Sequence, residues 1–222
     1  VRAPLTAMPL FKVCCIASID EAALALSHGA VAIGLVSAMP SGPGVISESR
    51  IREIASWAPR QTRTFLLTAR TEGDAIARQV QGVGANTVQL VDAVPTEVYR
   101  VVRERIPGVR LVQVIHVRGM RSLDEALAVA PHVDDLLLDS GNPAATVKEL
   151  GGTGRVHDWA VSRSIVEQAG IPVWLAGGLN PGNAREAIDA VRPYGLDVCS
   201  GLRTAGALDR VKLEAFARAV AA

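Results

Sequence analysis

Long apolar runs are missing from this chain: no stretch approaches the roughly 20 residues needed to cross a bilayer, so a membrane-spanning helix is not expected. Cysteine is scarce, with three in 222 residues. The odd count, with Cys14 and Cys15 adjacent, does not make a disulfide framework and fits neither C-x-x-C nor metal-ligand spacing. A soluble, reducing, cytoplasmic setting and no metal are therefore expected. Charge of one sign is also lacking. The net charge is +1 with 20% charged residues, and the basic residues form no stripe interleaved with aromatics, which argues against a nucleic-acid partner. No Pro/Ser-rich linker or low-complexity segment interrupts the chain. The segment Val1 to Pro9 is too short and irregular for a signal peptide.

What is present is an alternation of short β-branched runs with amphipathic stretches. A 49% hydrophobic content over 222 residues suffices for a sizeable core, and one domain over residues 1–222 is expected. Strands are expected at Phe11–Ile16, Ala32–Val36, Thr64–Leu67, Thr87–Leu90, Arg110–His116, Asp135–Leu138, Pro172–Ala176 and Leu196–Cys199. Their continuous apolar character suits parallel strands covered on both faces. Ser18–Glu21 and Ser122–Glu125 have capping-box spacing, and Asn180-Pro181 reads as a cap followed by a first-turn proline. Ala184, Ala187, Ile188 and Val191 form a helical stripe; Val98, Val101, Val102 and Ile106 form another; Val211, Leu213 and Phe216 suggest the last helix. Gly170 reads as a helix stop. Eight strand–helix units predict a closed (β/α)8 TIM barrel. A doubly wound open sheet would carry its glycine fingerprint after the first strand, where Cys14-Cys15-Ile16-Ala17-Ser18 has no glycine.

Three glycine-rich turns fall in the last third: Gly151-Gly152-Thr153-Gly154, Gly177-Gly178 and Ser200-Gly201. Glycine lets backbone N–H groups approach an anion closely, and late turns after barrel strands build phosphate sites. The expected partner is thus a phosphorylated small molecule. The long connection from Ser140 to Asp158 is of a length more often functional than idle.

Barrel chemistry sits at the C-terminal ends of strands. Strand alternation places Lys12, Cys14 and Ile16 on one face and Val13 and Cys15 on the other, so only one of the two cysteines is expected to point into the barrel. Asp139 directly follows Leu136-Leu137-Leu138, and a partly buried carboxyl there suits a general acid. A strand-end cysteine is commonly a small buried hydrophobe, and an aspartate after a strand commonly a turn residue. Separately these signals are weak; their joint order along the chain is not.

That order resembles the phosphoribosylanthranilate isomerases of tryptophan biosynthesis. Lys12-Val13-Cys14-Cys15-Ile16 is similar to that family's Lys-Ile-Cys-Gly-Ile opening. Ala30–Val36, Val88–Leu90, Leu137–Asp139, Gly151–Gly154 with Asp158-Trp159, Leu175–Pro181 and Asp197–Gly201 match in order over nearly the whole chain. The resemblance implies a cofactor-free Amadori rearrangement of a phosphorylated aminoaldose to an aminoketose. Asp139 would protonate the ring oxygen. Cys14, as a thiolate near its reference pKa of about 8.5, would remove the C2 proton. Gly152, Thr153, Gly177, Gly178, Ser200 and Gly201 would hold the phosphate. Lys12, if it faces inward, needs a partner, and Asp197 is the candidate.

The departures from the family pattern cluster on the aglycone half. Ser41-Gly42-Pro43-Gly44 stands where the family has Ser-Pro-Arg, whose arginine grips the anthranilate carboxylate. Val91-Asp92 replaces His-Gly, Cys15 replaces glycine, His157 replaces an aromatic residue and Leu202-Arg203 replaces Val-Glu. Arg118, Arg203 and His116 are the candidates for aglycone contacts, His116 either as an added acid/base group or as a hydrogen-bonded histidine at the rim. Two alternatives stay open at this point: a divergent isomerase acting on another phosphorylated sugar or aminosugar, and a non-catalytic barrel binding a phosphorylated metabolite. Monomer and homodimer are both compatible with the sequence.

Overall fold

Eight parallel strands close into a barrel in the order of the chain. The computed structural model describes residues 9–141 and 157–222. The strands are β1 (Leu10–Val13), β2 (Ala32–Val36), β3 (Arg63–Thr68), β4 (Thr87–Leu90), β5 (Arg110–His116), β6 (Asp135–Asp139), β7 (Val173–Leu175) and β8 (Gly195–Val198). Each is followed by a helix: α1 (Ile19–Ser27), α2 (Glu48–Trp57), α3 (Gly73–Val83), α4 (Thr96–Arg105), α5 (Arg121–Val129), α6 (Trp159–Gln168), α7 (Ala184–Val191) and α8 (Arg210–Ala221). A short hairpin of β9 (Arg203–Thr204) and β10 (Ala207–Leu208) separates β8 from α8. Among the described residues no helix is long and apolar enough to cross a membrane.

Strand alternation divides the core in two. Residues such as Ile33, Leu35, Leu136 and Leu138 face outward and pack with the buried faces of the helices. Ala32, Val36, Phe65, Val112, Val114, Leu137 and Trp174 fill the barrel interior. The expected stripe of α7 is buried in full, and Gly170 closes α6 with φ 69°, a left-handed conformation that glycine adopts without strain.

Several local expectations are corrected. The Asn180 side chain accepts the N–H of Gly182 and so builds a turn; α7 begins only at Ala184, after Asn183. Ser122 lies inside α5 instead of capping it, because its hydroxyl is engaged by the Arg118 N–H and the His116 carbonyl. Ser18 does cap α1, but Glu21 reaches back to Ala17 instead of to Ser18. On α8, Leu213 and Phe216 are buried while Val211 is exposed. On α4 the buried residues are Tyr99 and Val102.

The N-terminal end of the barrel is plugged by a charged cluster. Asp135, wholly buried, accepts from Arg63 (3.1 Å) and from the indole N–H of Trp174 (3.2 Å), and it also pairs with Arg110. Trp174 packs edge-on against Phe65 and Tyr194. Replacing Asp135 with alanine leaves the indole N–H without its acceptor and two arginines without their shared partner. The expected cost is about 1–3 kcal/mol, measurable as a lowered urea midpoint with an unchanged slope.

Candidate active site

The opposite, C-terminal mouth of the barrel is where ionisable side chains converge. Lys12 on β1 stands level with Asp197 on β8 in the strand register, so both side chains enter the interior at one height. The Lys12 ammonium donates to Asp197 (2.7 Å) and to the Gln89 side-chain carbonyl on β4 (2.9 Å). It also lies 4.8 Å from the centre of the Phe65 ring. Lys12 has no exposed surface. Burial works against its charge, yet Asp197, Cys14 and Asp139 together hold its proton affinity above the ordinary lysine value. The expected Lys12–Asp197 pair is thus present.

Cys14 follows β1, with its sulfur 3.8 Å from the Lys12 ammonium. Gly34 on β2 makes the room: a Cβ there would come within 2.7 Å of the Cys14 sulfur and 3.0 Å of Lys12 Cε. Burial pushes the thiol up to about 11, with Lys12 pulling it down. This corrects the expectation of a thiol near its reference value, because a site dry enough to shelter the reaction also disfavours the free thiolate.

Asp139 ends β6 and accepts the N–H of Ser140 at 2.7 Å. Burial pushes this carboxyl above the ordinary aspartate range, while the Ser140 N–H, His116 and Lys12 pull it down and Asp197 adds to the rise. Cys14, Asp139, Gln89 and Asp197 all line one cavity. Asp197 Oδ1 is buried without a hydrogen-bond partner, which leaves an acceptor beside that cavity.

The expected facing of the cysteines is wrong. β1 ends at Val13, and Cys15 adopts φ 62°. This left-handed turn rotates the chain, so Cys14 and Cys15 both pack with the interior cluster and Ile16 joins Val13 among the outward-facing residues. Cys15 is joined to Cys199, just beyond β8, by a disulfide, and Cys14 is the free thiol. The expectation of no disulfide is overturned because the fold brings the ends of the first and last strands side by side. Gly44 lies against this bridge: a Cβ on it would collide with Cys15.

At the far end of the cavity, the β7 and β8 loops supply Gly177, Gly178 and Ser200. Gly177 and Gly178 have φ 86° and 65°, and the Gly178 carbonyl is held by the side chains of Asn180 and Asn183. Among the described residues, the N–H groups of Gly177, Gly178, Ser200 and Gly201 donate to no backbone carbonyl outside the regular elements. Gly201 has a packing reason as well, since a Cβ there would strike the Leu179 carbonyl. Gly152 and Thr153 lie outside the described residues.

The three aglycone candidates separate. Arg203 is committed to the framework, pairing with Glu21 (2.9 Å) and donating to the carbonyls of Gly206 and Cys15. Arg118 is exposed just beyond β5. His116 is buried at the end of β5, level with Asp139. None of the three lines the cavity. Sequence reasoning missed Gln89 and Gly34; their only signal was an inward position on a strand. His157 is held near Ser162 at 2.8 Å, where burial lowers its imidazole to about 4.

Residues 11–219 match the family model for N-(5'-phosphoribosyl)anthranilate (PRA) isomerase. The chain belongs to that family. A PRA isomerase of Desulforudis audaxviator is 36% identical over 213 residues, covering 94% of this chain and 96% of the relative. One from Methanocella arvoryzae is 33% identical over 195 residues, covering 88% and 89%. The crystal structure of the Thermotoga maritima PRA isomerase superposes with a TM-score of 0.83 at 29% identity, covering 96% of this chain and 99% of that one.

Two predictions follow from the ion pair and the bridge. Lys12→Met strands a buried carboxylate and is expected to cost about 3–5 kcal/mol, whereas Lys12→Met with Asp197→Leu recovers most of that loss; chemical denaturation of both variants checks the difference. Thiol titration of the unfolded, unreduced protein is expected to find one reactive cysteine, rising to three after reduction.

Proposed function

We propose that this PRA isomerase family member carries out the family's own reaction, the Amadori rearrangement of N-(5'-phosphoribosyl)anthranilate in tryptophan biosynthesis, with Cys14 as base and Asp139 as acid. The observation that carries this reading is the meeting, in one cavity, of a buried carboxyl and a buried thiol with an anion-ready loop pair at the far end. A family structure with a TM-score of 0.80 at 27% identity was solved in complex with reduced 1-(o-carboxyphenylamino)-1-deoxyribulose 5-phosphate. That molecule carries a phosphate and a carboxyphenyl group, and the glycine-rich end of the cavity is the end proposed for the phosphate.

In this reading the phosphate rests on the N–H groups of Gly177, Gly178, Ser200 and Gly201, with Gly152 and Thr153 completing the set. Asp139, kept protonated more readily by burial, gives its proton to the ribose ring oxygen. The C1–O bond breaks and an iminium forms between C1 and the aniline nitrogen. That cation acidifies the C2 hydrogen, which Cys14 removes as thiolate, leaving an enolamine. Protonation at C1 and loss of the C2 hydroxyl proton then give the aminoketose, and no outside oxidant or reductant enters.

The active form needs Asp139 protonated and Cys14 deprotonated at once. Burial favours the first of these states and opposes the second, and this balance sets the population of the active form. Lys12 raises that population by favouring the thiolate. Asp197 Oδ1 is placed to accept from a sugar hydroxyl. For the anthranilate carboxylate, Arg118 is the one of the two candidate arginines that makes no ion pair among the described residues. The barrel of residues 1–222 acts as one unit in this reading.

Consumption of phosphoribosylanthranilate, generated in place from anthranilate and phosphoribosyl pyrophosphate, is followed by loss of its fluorescence. Saturable turnover is expected, with Asp139→Asn nearly inactive and Cys14→Ser reduced by at least about 10²-fold. Folded protein that binds ribose phosphate but turns over no substrate would overturn the reading.

A further inference from the structure

β5 and β6 end together, with His116 and Asp139 paired in the strand register. Both continue the inward-facing series of their strands, after Val112 and Val114 on β5 and after Leu137 on β6. Two ionisable side chains therefore stand side by side on the inner wall. His116 is buried, and its Nε2 lies 2.9 Å from the Val91 carbonyl. A carbonyl only accepts, so Nε2 carries the hydrogen. That bond holds the ring by one nitrogen and leaves Nδ1 as the other. Nδ1 is buried and has no hydrogen-bond partner. A buried nitrogen of this kind costs free energy unless it serves something.

Asp139 has the complementary need. Its Oδ1 is occupied by the Ser140 N–H. Once its proton has gone to substrate, a full negative charge remains on a buried side chain. The groups around it are Lys12 and Cys14 from β1, Asp197 from β8 and His116 from β5. Lys12 is already committed to Asp197 and Gln89, and Asp197 and a Cys14 thiolate oppose a further negative charge. Of the other charged groups, Asp92 follows the accepting Val91 and its carboxylate takes the Ala93 N–H, while Arg118 and Arg121, close to His116 in the chain, are exposed.

We propose that His116 is a positioning residue for the acid: anchored by Val91, its imidazolium form stands beside Asp139 and balances the carboxylate left when the acid's proton has gone to the substrate. The role rests on the reading of Asp139 as the proton donor. The charge that appears on Asp139 then has its counter-charge on the neighbouring strand.

Coupling of this kind is visible without substrate. The Asp139 carboxyl carbon and the His116 ring are titrated by NMR in substrate-free protein. In His116→Gln, where the amide still reaches Val91, the Asp139 midpoint is expected to rise by roughly one pH unit as the cation is lost. In Asp139→Asn, the His116 midpoint is expected to fall by the same amount, because linkage is reciprocal. Midpoints that stay put in both variants overturn the proposal; should His116→Gln fail to fold, the Asp139→Asn titration decides alone. In turnover, the acid limb of kcat/KM moves up in His116→Gln while the alkaline limb stays, a change that a merely structural histidine does not produce. Coupled midpoints in a protein without turnover would sink the proposed reaction and leave the pairing standing, whereas turnover with uncoupled midpoints would sink the pairing alone.

Discussion

A lysine with no exposed surface is held in the middle of the barrel by one carboxylate and one amide, and the chemistry at the mouth depends on that arrangement. Burying a charge is costly unless it is paired and hydrogen-bonded. The strand register supplies the partner by setting Asp197 level with Lys12, and the missing side chain at Gly34 supplies the space. The ammonium then acts on its neighbours from below. It favours the thiolate of Cys14 and opposes the burial that holds Asp139 protonated. Thiol and carboxyl are thus tuned by one buried cation, and a change to any of the three is felt by the others.

The barrel itself was legible because its strands are continuous apolar runs separated by helical stripes. β2, β4 and β5 occupy the residues expected of them, and Cys14 and Asp139 lie where strand ends put barrel chemistry. Errors arose wherever a side chain had more than one way to satisfy its backbone neighbours. Asn180 and Ser122 carry cap-like patterns but spend their hydrogen bonds on a turn and on the β5–α5 junction. Cys15 defeated strand alternation because a positive φ at a non-glycine residue leaves no local signal. The bridge to Cys199 was hidden by distance along the chain, and Arg203 looked available only until Glu21 was seen beside it.

Two departures from the family pattern are one structural event. The resemblance puts a glycine where this chain has Cys15, and an arginine where it has Ser41-Gly42-Pro43-Gly44. Gly44 packs directly on Cys15 with no space for a side chain, and the Cys15 sulfur lies 3.7 Å from the Pro43 carbonyl. A residue with a side chain at Gly44 cannot coexist with the bridge as it stands. Meanwhile Arg203, in place of the family's glutamate, reaches across to Glu21 and to the carbonyl of Cys15. This side of the mouth is therefore a junction between the first, second and last units.

The same bridge changes what kind of object the polypeptide is. With 184 positions separating its two cysteines, nearly the entire chain lies inside a single covalent ring, tied at the rim where the barrel closes. A backbone cut anywhere between them leaves fragments that stay tethered and can re-form the closing strand pair without diffusing apart. Such a molecule tolerates a nick in an outer loop as a local injury rather than a separation of parts, for as long as its surroundings keep the sulfurs joined.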